Sequence, residues 1–285
     1  MSKRHVRPIL IPLHYGANVD GIQYGADYVL ENLDDYLLLP EVILKDKQND
    51  PNLRNFCTVV ATNSVLATAT SYIYKTGQFP LVIGGDHSVA LGSISAVASQ
   101  EDNLGVIWVD AHGDMNTDVT SESGNIHGMI LASLVGEGEP ELVNLHREKI
   151  KLKKEHVIIF GVRDLDVGER ANIDKLNIKY FSYAYIKRVG LNQALEEARA
   201  YFIDKITKLH VSIDLDSLDP SIIPGVSVPV EKGFRKDDVR IIVDYLFTNF
   251  TISSADIVEY NPHYDNNDKT LNFLLELIEK IKALV

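Results

Sequence analysis

The densest chemical signal in the chain is Asp110-Ala111-His112-Gly113-Asp114, directly after the apolar run Val106–Val109. In an extended chain, residues two apart point to the same side. That spacing predicts convergence of Asp110, His112 and Asp114, with small Ala111 and Gly113 leaving room between them. A second acidic triplet, Asp214-Leu215-Asp216, follows Val211-Ser212-Ile213 and repeats the pattern. A third element, Gly84-Gly85-Asp86-His87-Ser88, falls between a strand and a helix. Its glycines permit a tight turn, and Ser88 is expected to cap the helix that starts near Val89. Each element alone has an ordinary reading, a strand-end Asp as a helix cap and an isolated His as a polar residue. Together they bring Asp110, Asp114, Asp214, Asp216, His87 and His112 to one edge of a sheet, where unpaired like charges repel. Such a set fits two divalent cations better than one. Oxygen-rich donors with some imidazole suit Mn²⁺, with Mg²⁺, Co²⁺ and Fe²⁺ as competitors, and no thiolate is present to favour structural zinc. Two such ions about 3.5–4 Å apart can polarise a bridging water to hydroxide near neutral pH. The chemistry implied is metal-assisted hydrolysis.

Surplus acid lies near the same edge. Glu259, in Asp256-Ile257-Val258-Glu259-Tyr260-Asn261-Pro262, ends an apolar strand and is not needed to complete the metal set. It reads either as a bidentate partner for a planar cation or as a surface or capping glutamate. Asp166 and Glu169, within Gly161-Val162-Arg163-Asp164-Leu165-Asp166-Val167-Gly168-Glu169, add more acid after another strand. That run equally reads as a solvated loop with an internal Arg163 salt bridge. A metal phosphohydrolase would want a phosphate loop or cationic phosphate ligands, and neither stands beside the motifs.

Short Val- and Ile-rich runs alternating with helical patterns must position these residues. Candidate strands are Pro8–Pro12, Glu41–Leu44, Pro80–Ile83, Gly105–Val109, His156–Gly161, Ile178–Phe181, Leu209–Ile213 and Ala255–Val258. Helical periods cover Leu53–Tyr74, Val89–Ala98, Gln193–Ile206, Lys236–Leu246 and Leu271–Val285. Strands apolar on consecutive residues and separated by helices imply a mostly parallel, roughly eight-stranded sheet covered on both faces. No repeat or linker divides the chain, so residues 1–285 read as a single three-layer α/β domain. The irregular stretches Met115–Asn125, Asp219–Phe234 and Asn261–Lys269 follow strand ends, where open α/β sheets build their sites. The net charge of −12 argues against nucleic acid or an anionic membrane as partner. The longest apolar runs fall short of the ~20 residues a membrane helix needs. A lone cysteine, Cys57, forms no intramolecular disulfide, and a reducing cytoplasm is the expected compartment.

The three motifs, in this order and with Ser212-Ile213-Asp214-Leu215-Asp216-Ser217-Leu218-Asp219-Pro220 as the third, resemble the metal motifs of the arginase/agmatinase (ureohydrolase) family. The likeness is read from about Leu81 to the C-terminal helix, with a weaker echo in the first strand and loop. It implies an arginase-like fold and two Mn²⁺ per subunit. His87 and Asp114 would serve one metal and His112 the other, while Asp110, Asp214 and Asp216 complete and bridge the sites. Asn116-Thr117 and the run Ser121 to Gly128 resemble the arginase branch, where this loop holds the substrate's α-carboxylate. Asn116, Ser121 and Ser123 would take that part, with Asn125 and Asp166 addressing the α-amino group and Glu169 in the same substrate set. His127 matches the family's proton shuttle, a role suited to a near-neutral pKa, and Glu259 the residue that orients the guanidinium. The implied reaction is hydrolysis of L-arginine to L-ornithine and urea by attack of a metal-bridging hydroxide, Asp114 accepting its proton. The alternatives are another ureohydrolase (agmatinase, guanidino-acid hydrolase or formiminoglutamase) and a non-catalytic metal- or amino-acid-binding relative. The expected partners are a small guanidino substrate and further copies of the chain, as a trimer or hexamer. The chain departs from the family at Val226-Ser227-Val228-Pro229-Val230, where Gly-Thr-Pro-Val is usual: apolar Val228 stands in place of the Thr, unless Ser227 substitutes for it.

Overall fold

A computed structural model describes residues 3–46 and 50–285. Its strands are β1 (Val6–Leu10), β2 (Leu37–Leu38), β3 (Phe79–Ile83), β4 (Leu104–Val109), β5 (Val157–Phe160), β6 (Lys179–Phe181), β7 (Lys208–Asp214) and β8 (Ile252–Val258). They form one sheet in the order β2-β1-β3-β8-β7-β4-β5-β6, and every pairing is parallel. The helices are α1 (Gly25–Leu30), α2 (Phe56–Lys75), α3 (Ala90–Ala98), α4 (Ile130–Leu134), α5 (Pro140–Val143), α6 (Val167–Leu176), α7 (Tyr183–Val189), α8 (Leu191–Phe202), α9 (Lys236–Asn249) and α10 (Lys269–Leu284).

Strand alternation sorts them into two layers. In β4, Ile107 and Val109 join the core with α1 and α7 to α10, whereas Leu104, Val106 and Trp108 join the core with α2 to α6. Both faces are therefore dry, as the continuous apolar strands require. The single three-layer α/β fold expected from the pattern is the one observed.

Several local expectations are corrected. Glu41–Leu44 is not a strand, because the Val42 and Leu44 amides donate to the Thr62 and Thr58 hydroxyls of α2, each 2.9 Å away. The edge strand is instead Leu37–Leu38, paired with Ile9 and Leu10. Helix α2 is, by length and mean hydropathy, apolar enough to cross a bilayer, contrary to the run-length argument. Thr and Ser residues break its apolar runs without lowering the average far, and its Val59, Leu66 and Ala67 are buried in the fold. The run after β5 is not a solvated loop. Asp166 caps α6 by accepting the Glu169 amide at 2.8 Å, and Glu169 returns a bond from the Asp166 amide, a capping box. Arg163 makes no internal salt bridge. Its guanidinium donates to the carbonyls of Asp216, Ser217, Leu218, Val230 and Glu231, tying the β5 loop to both ends of the Asp219–Phe234 loop.

Gly161, which leads into Arg163, has φ +106°, and a Cβ there would lie 2.4 Å from Phe234. Gly77, after α2, also has positive φ (+81°) but open space around it. Gly77→Ala should therefore cost only the left-handed backbone term, about 1–2 kcal/mol. Gly161→Ala adds an overpacking term of about 1–3 kcal/mol to a similar strain. Urea denaturation of the two variants checks that Gly161→Ala is the more destabilised.

Candidate metal centre and substrate cleft

The ligand candidates come from three strand ends. His87 opens the 3₁₀ turn that leads into α3, after the left-handed Gly84 and Gly85. Its Nδ1 lies 3.0, 3.2 and 3.1 Å from carboxylate oxygens of Asp110, Asp114 and Asp214. Its Nε2 meets Ser212 Oγ at 2.9 Å. With the ring proton on Nε2 and donated to Ser212, the Nδ1 lone pair faces three oxygens. One proton on Nδ1 cannot satisfy all three, and Nδ1 makes no hydrogen bond of good geometry. A cation at their centre can satisfy them all. The second group is His112, whose Nδ1 stands 3.1 Å from Asp216 and 3.5 Å from Asp110. His87, Asp110 and Asp214 form one candidate ligand group and Asp110, His112 and Asp216 another, with Asp110 common to both.

Charge tells the same story. Burial and the neighbouring Asp216 and Asp110 charges push Asp214 well above the usual carboxylate range. Burial and Asp110 raise Asp114, and burial lifts Asp216 to about 6 against the pull of His112. Asp110 goes the other way: burial opposes its charge, but the His112 and His87 rings hold it low. Both rings are raised well above their usual range by these carboxylates, despite burial. The cluster is short of positive charge, which suits divalent cations.

Beside this centre, Glu259 is 2 % exposed with a left-handed φ of 66°. Its Oε1 accepts the His87 amide at 2.8 Å and meets His127 Nδ1 at 3.1 Å, leaving Oε2 without a partner. Burial disfavours charge on His127, but its bond to Glu259 and the nearby acid raise it to about 9.

A cleft of about 140 Å³ leads outward from the centre. Its wall includes His112, Asp114, His127, Asp214 and Asp216 at the inner end. Asn116, Ser121, Ser123, Asn125, Asp166 and Glu169 also line it, so the structure gathers every residue expected to touch substrate, Glu259 lying buried beside His127. The Ser121 and Ser123 hydroxyls accept the Gly124 and Asn125 amides at 3.0 and 3.2 Å and meet each other at 3.5 Å, which leaves an O–H free to donate into the cleft. Asn116 donates one amide hydrogen to Asp166 at 2.7 Å and has a second free. Asn125 donates to the Ala17 carbonyl, and its Oδ1 is buried without a partner. Glu169, pushed up to about 7 by burial and by Asp114, accepts the Gly113 amide at 3.1 Å.

Comparison with known proteins gives a family. The profile of the arginase family matches residues 17–283. The arginase of Bacillus subtilis is 42 % identical over 254 residues, spanning 89 % of this chain and 84 % of its own. That of Bacillus caldovelox is 43 % identical over 232 residues, 81 % of this chain and 78 % of its own. The native Bacillus caldovelox arginase structure superposes with a TM-score of 0.91 at 38 % identity, covering 98 % of each chain. An Entamoeba histolytica arginase in complex with L-ornithine superposes at 0.86, 32 % identical over 99 % of each. The chain belongs to the arginase family. It is a hydrolytic enzyme of the ureohydrolase type, and the family likeness reaches further toward the N-terminus than the motifs alone suggested.

The Asp110–Asp114 side chains do not converge by strand alternation. The Asp110 carboxylate accepts the His112 amide at 2.7 Å, and Asp114 is left-handed at φ 49°, so the chain turns at once. Asp214 repeats the device by accepting the Asp216 amide at 2.7 Å. Ser88 is not the cap before α3; Asp86 accepts its amide at 2.9 Å and the Ala17 amide at 2.9 Å. Ser227 does not replace a cleft hydroxyl: it is absent from the cleft wall, where Val228 stands instead, and its oxygen meets Asn261 Nδ2 at 3.0 Å. Two supports were missed. Trp108 stacks on His87 (centroids 3.8 Å, 8°) and donates to Asp110 at 2.9 Å, and Ser212 holds His87. Both lie two residues before a motif aspartate, on the face that alternation assigns to it.

Because Asp110 belongs to both groups, Asp110→Ala should abolish binding of both metal equivalents. His112→Ala should lose one and keep the other. Metal content after dialysis against dilute Mn²⁺ checks the pair.

Proposed function

We propose that this cleft hydrolyses the guanidinium of L-arginine to L-ornithine and urea with two Mn²⁺ ions. The observation that carries the reading is one cleft with acid-rich ligands at its inner end, Glu259 buried behind the His127 of its wall, and hydrogen-bond donors at its outer end. A guanidino amino acid is cationic at one end and carries a carboxylate at the other. The ornithine complex of the Entamoeba histolytica relative is consistent with such a ligand.

His87, Asp110, Asp114, Asp214, Asp216 and His112 would hold the metals, which supply an activated water near neutral pH. The free Oε2 of Glu259 takes guanidinium N–H groups and fixes the carbon toward the centre. Asp114, in the cleft wall beside His112 and His127, would accept the proton that water loses in adding to that carbon. His127 carries a proton to the departing ornithine amine, and C–N cleavage then leaves urea. The outward hydroxyls of Ser121 and Ser123 and the spare Asn116 hydrogen bind the α-carboxylate. Asn125 Oδ1 and Asp166 accept from the α-ammonium, and Glu169 supports that wall. Agmatine has no carboxylate to use these donors. The reading carries with it a cytoplasmic, homo-oligomeric protein, trimer or hexamer.

The test is release of ornithine and urea from L-arginine by Mn²⁺-reconstituted protein, with agmatine and formiminoglutamate in parallel. Activity on arginine first is expected. Turnover of another substrate alone would reassign the enzyme within its family, and metal binding without turnover would make it a binding protein. His127→Asn should lower kcat by about 10²-fold or more while leaving metal content intact. Loss of metal in that variant would refute the shuttle role.

A further inference from the structure

Beneath the metal centre lies a polar network that the chemistry above does not use. His210 Nε2 meets Asp256 Oδ2 at 2.9 Å, and His210 Nδ1 meets Ser254 Oγ at 2.7 Å. Ser93, in the first turns of α3, donates to the same Asp256 oxygen at 2.8 Å. All four side chains are essentially excluded from solvent. Replacing such groups by apolar ones of similar size is often neutral or stabilising, so stability alone does not account for them.

Register shows what the network touches. Between β7 and β8, His210 pairs with Ser254 and Ser212 with Asp256. Alternation puts His210, Ser212 and Asp214 on one face of β7, toward α3. The helical segment that begins at His87 is thereby pinned twice to one cross-strand pair, by His87 to Ser212 and by Ser93 to Asp256. The strand under it ends in Asp214, with Asp216 just beyond. The distance from His87 to these ligands depends on how α3 sits on β7 and β8.

We propose that Ser93, Asp256 and His210 are positioning residues for His87, fixing α3 so that its imidazole meets the carboxylates of β4 and β7. The proposal rests on the reading of this centre as a metal site. Supporting contacts to metal ligands are typically worth about 10- to 100-fold in metal affinity.

The experiment measures Mn²⁺ bound by the full-length protein over a series of buffered free-metal concentrations. Ser93→Ala removes one hydroxyl and keeps the His210–Asp256 pair, so it should fold and bind manganese about tenfold more weakly. Asp256→Asn should do at least the same, and if it does not fold, Ser93→Ala decides alone. Ile278→Val, in α10 on the opposite layer, should lower Tm without moving metal affinity. In a double-mutant cycle, Ser93→Ala should have no further effect in a His87→Ala background and keep its tenfold effect in a His112→Ala background. Equal effects in both backgrounds, an equal shift from Ile278→Val, or unchanged metal binding in Ser93→Ala would each overturn the proposal. Wild-type protein that binds no manganese would overturn the metal reading along with it, whereas wild-type binding with an unaffected Ser93→Ala would overturn only the positioning role.

Discussion

Asp86, Asp110, Asp114, Asp214, Asp216 and Glu259 are each at most 5 % exposed and gather at one end of one sheet. Like charges removed from water repel strongly, and each loses hydration that must be replaced by bonds or cations. Two of them, Asp86 and Glu259, are answered by backbone amides and the His127 ring. The other four converge on two imidazoles and remain short of positive charge. The surrounding structure can be understood as the means of holding that imbalance in place.

The sheet order does most of this. β3, β8, β7, β4 and β5 are consecutive neighbours. Their carboxyl ends deliver, in that order, His87, Glu259, Asp214 with Asp216, Asp110 with His112 and Asp114, and Asp166 with Glu169. Parallel pairing points all five ends the same way, so one edge receives every group. Packed layers on both faces leave the strands no freedom to slip, since a one-residue shift would exchange the side chains of the two differently shaped cores.

Locally, the acids position one another through backbone amides. Asp110 holds the His112 amide, Asp214 the Asp216 amide, Asp86 the Ser88 amide and Glu259 the His87 amide. Each bond both offsets part of a carboxylate's buried charge and bends the chain so that the next ligand turns inward. Arg163 extends the same logic to the rim, where one guanidinium gathers five carbonyls and fixes the segment carrying Asp216 relative to the loop carrying Val228.

The alternation of Val- and Ile-rich runs with helical periods was enough to specify a parallel three-layer fold, because burial on both faces leaves that pattern in the chain itself. Residue type and order were likewise enough to single out His87, Asp110, His112, Asp114, Asp214 and Asp216, since few other roles bring so much acid to strand ends. Strand order was not legible: nothing in the segment around Glu259 says that β8 inserts between β3 and β7, yet that insertion sets Glu259 beside His87 and His127. The edge strand, the capping box at Asp166, the reach of Arg163 and the turning of Ser227 away from the cleft also depended on partners distant in sequence. Local patterns record which face of an element is dry; which element lies beside it is decided by long-range packing and hydrogen bonding, and only the tertiary structure carries that.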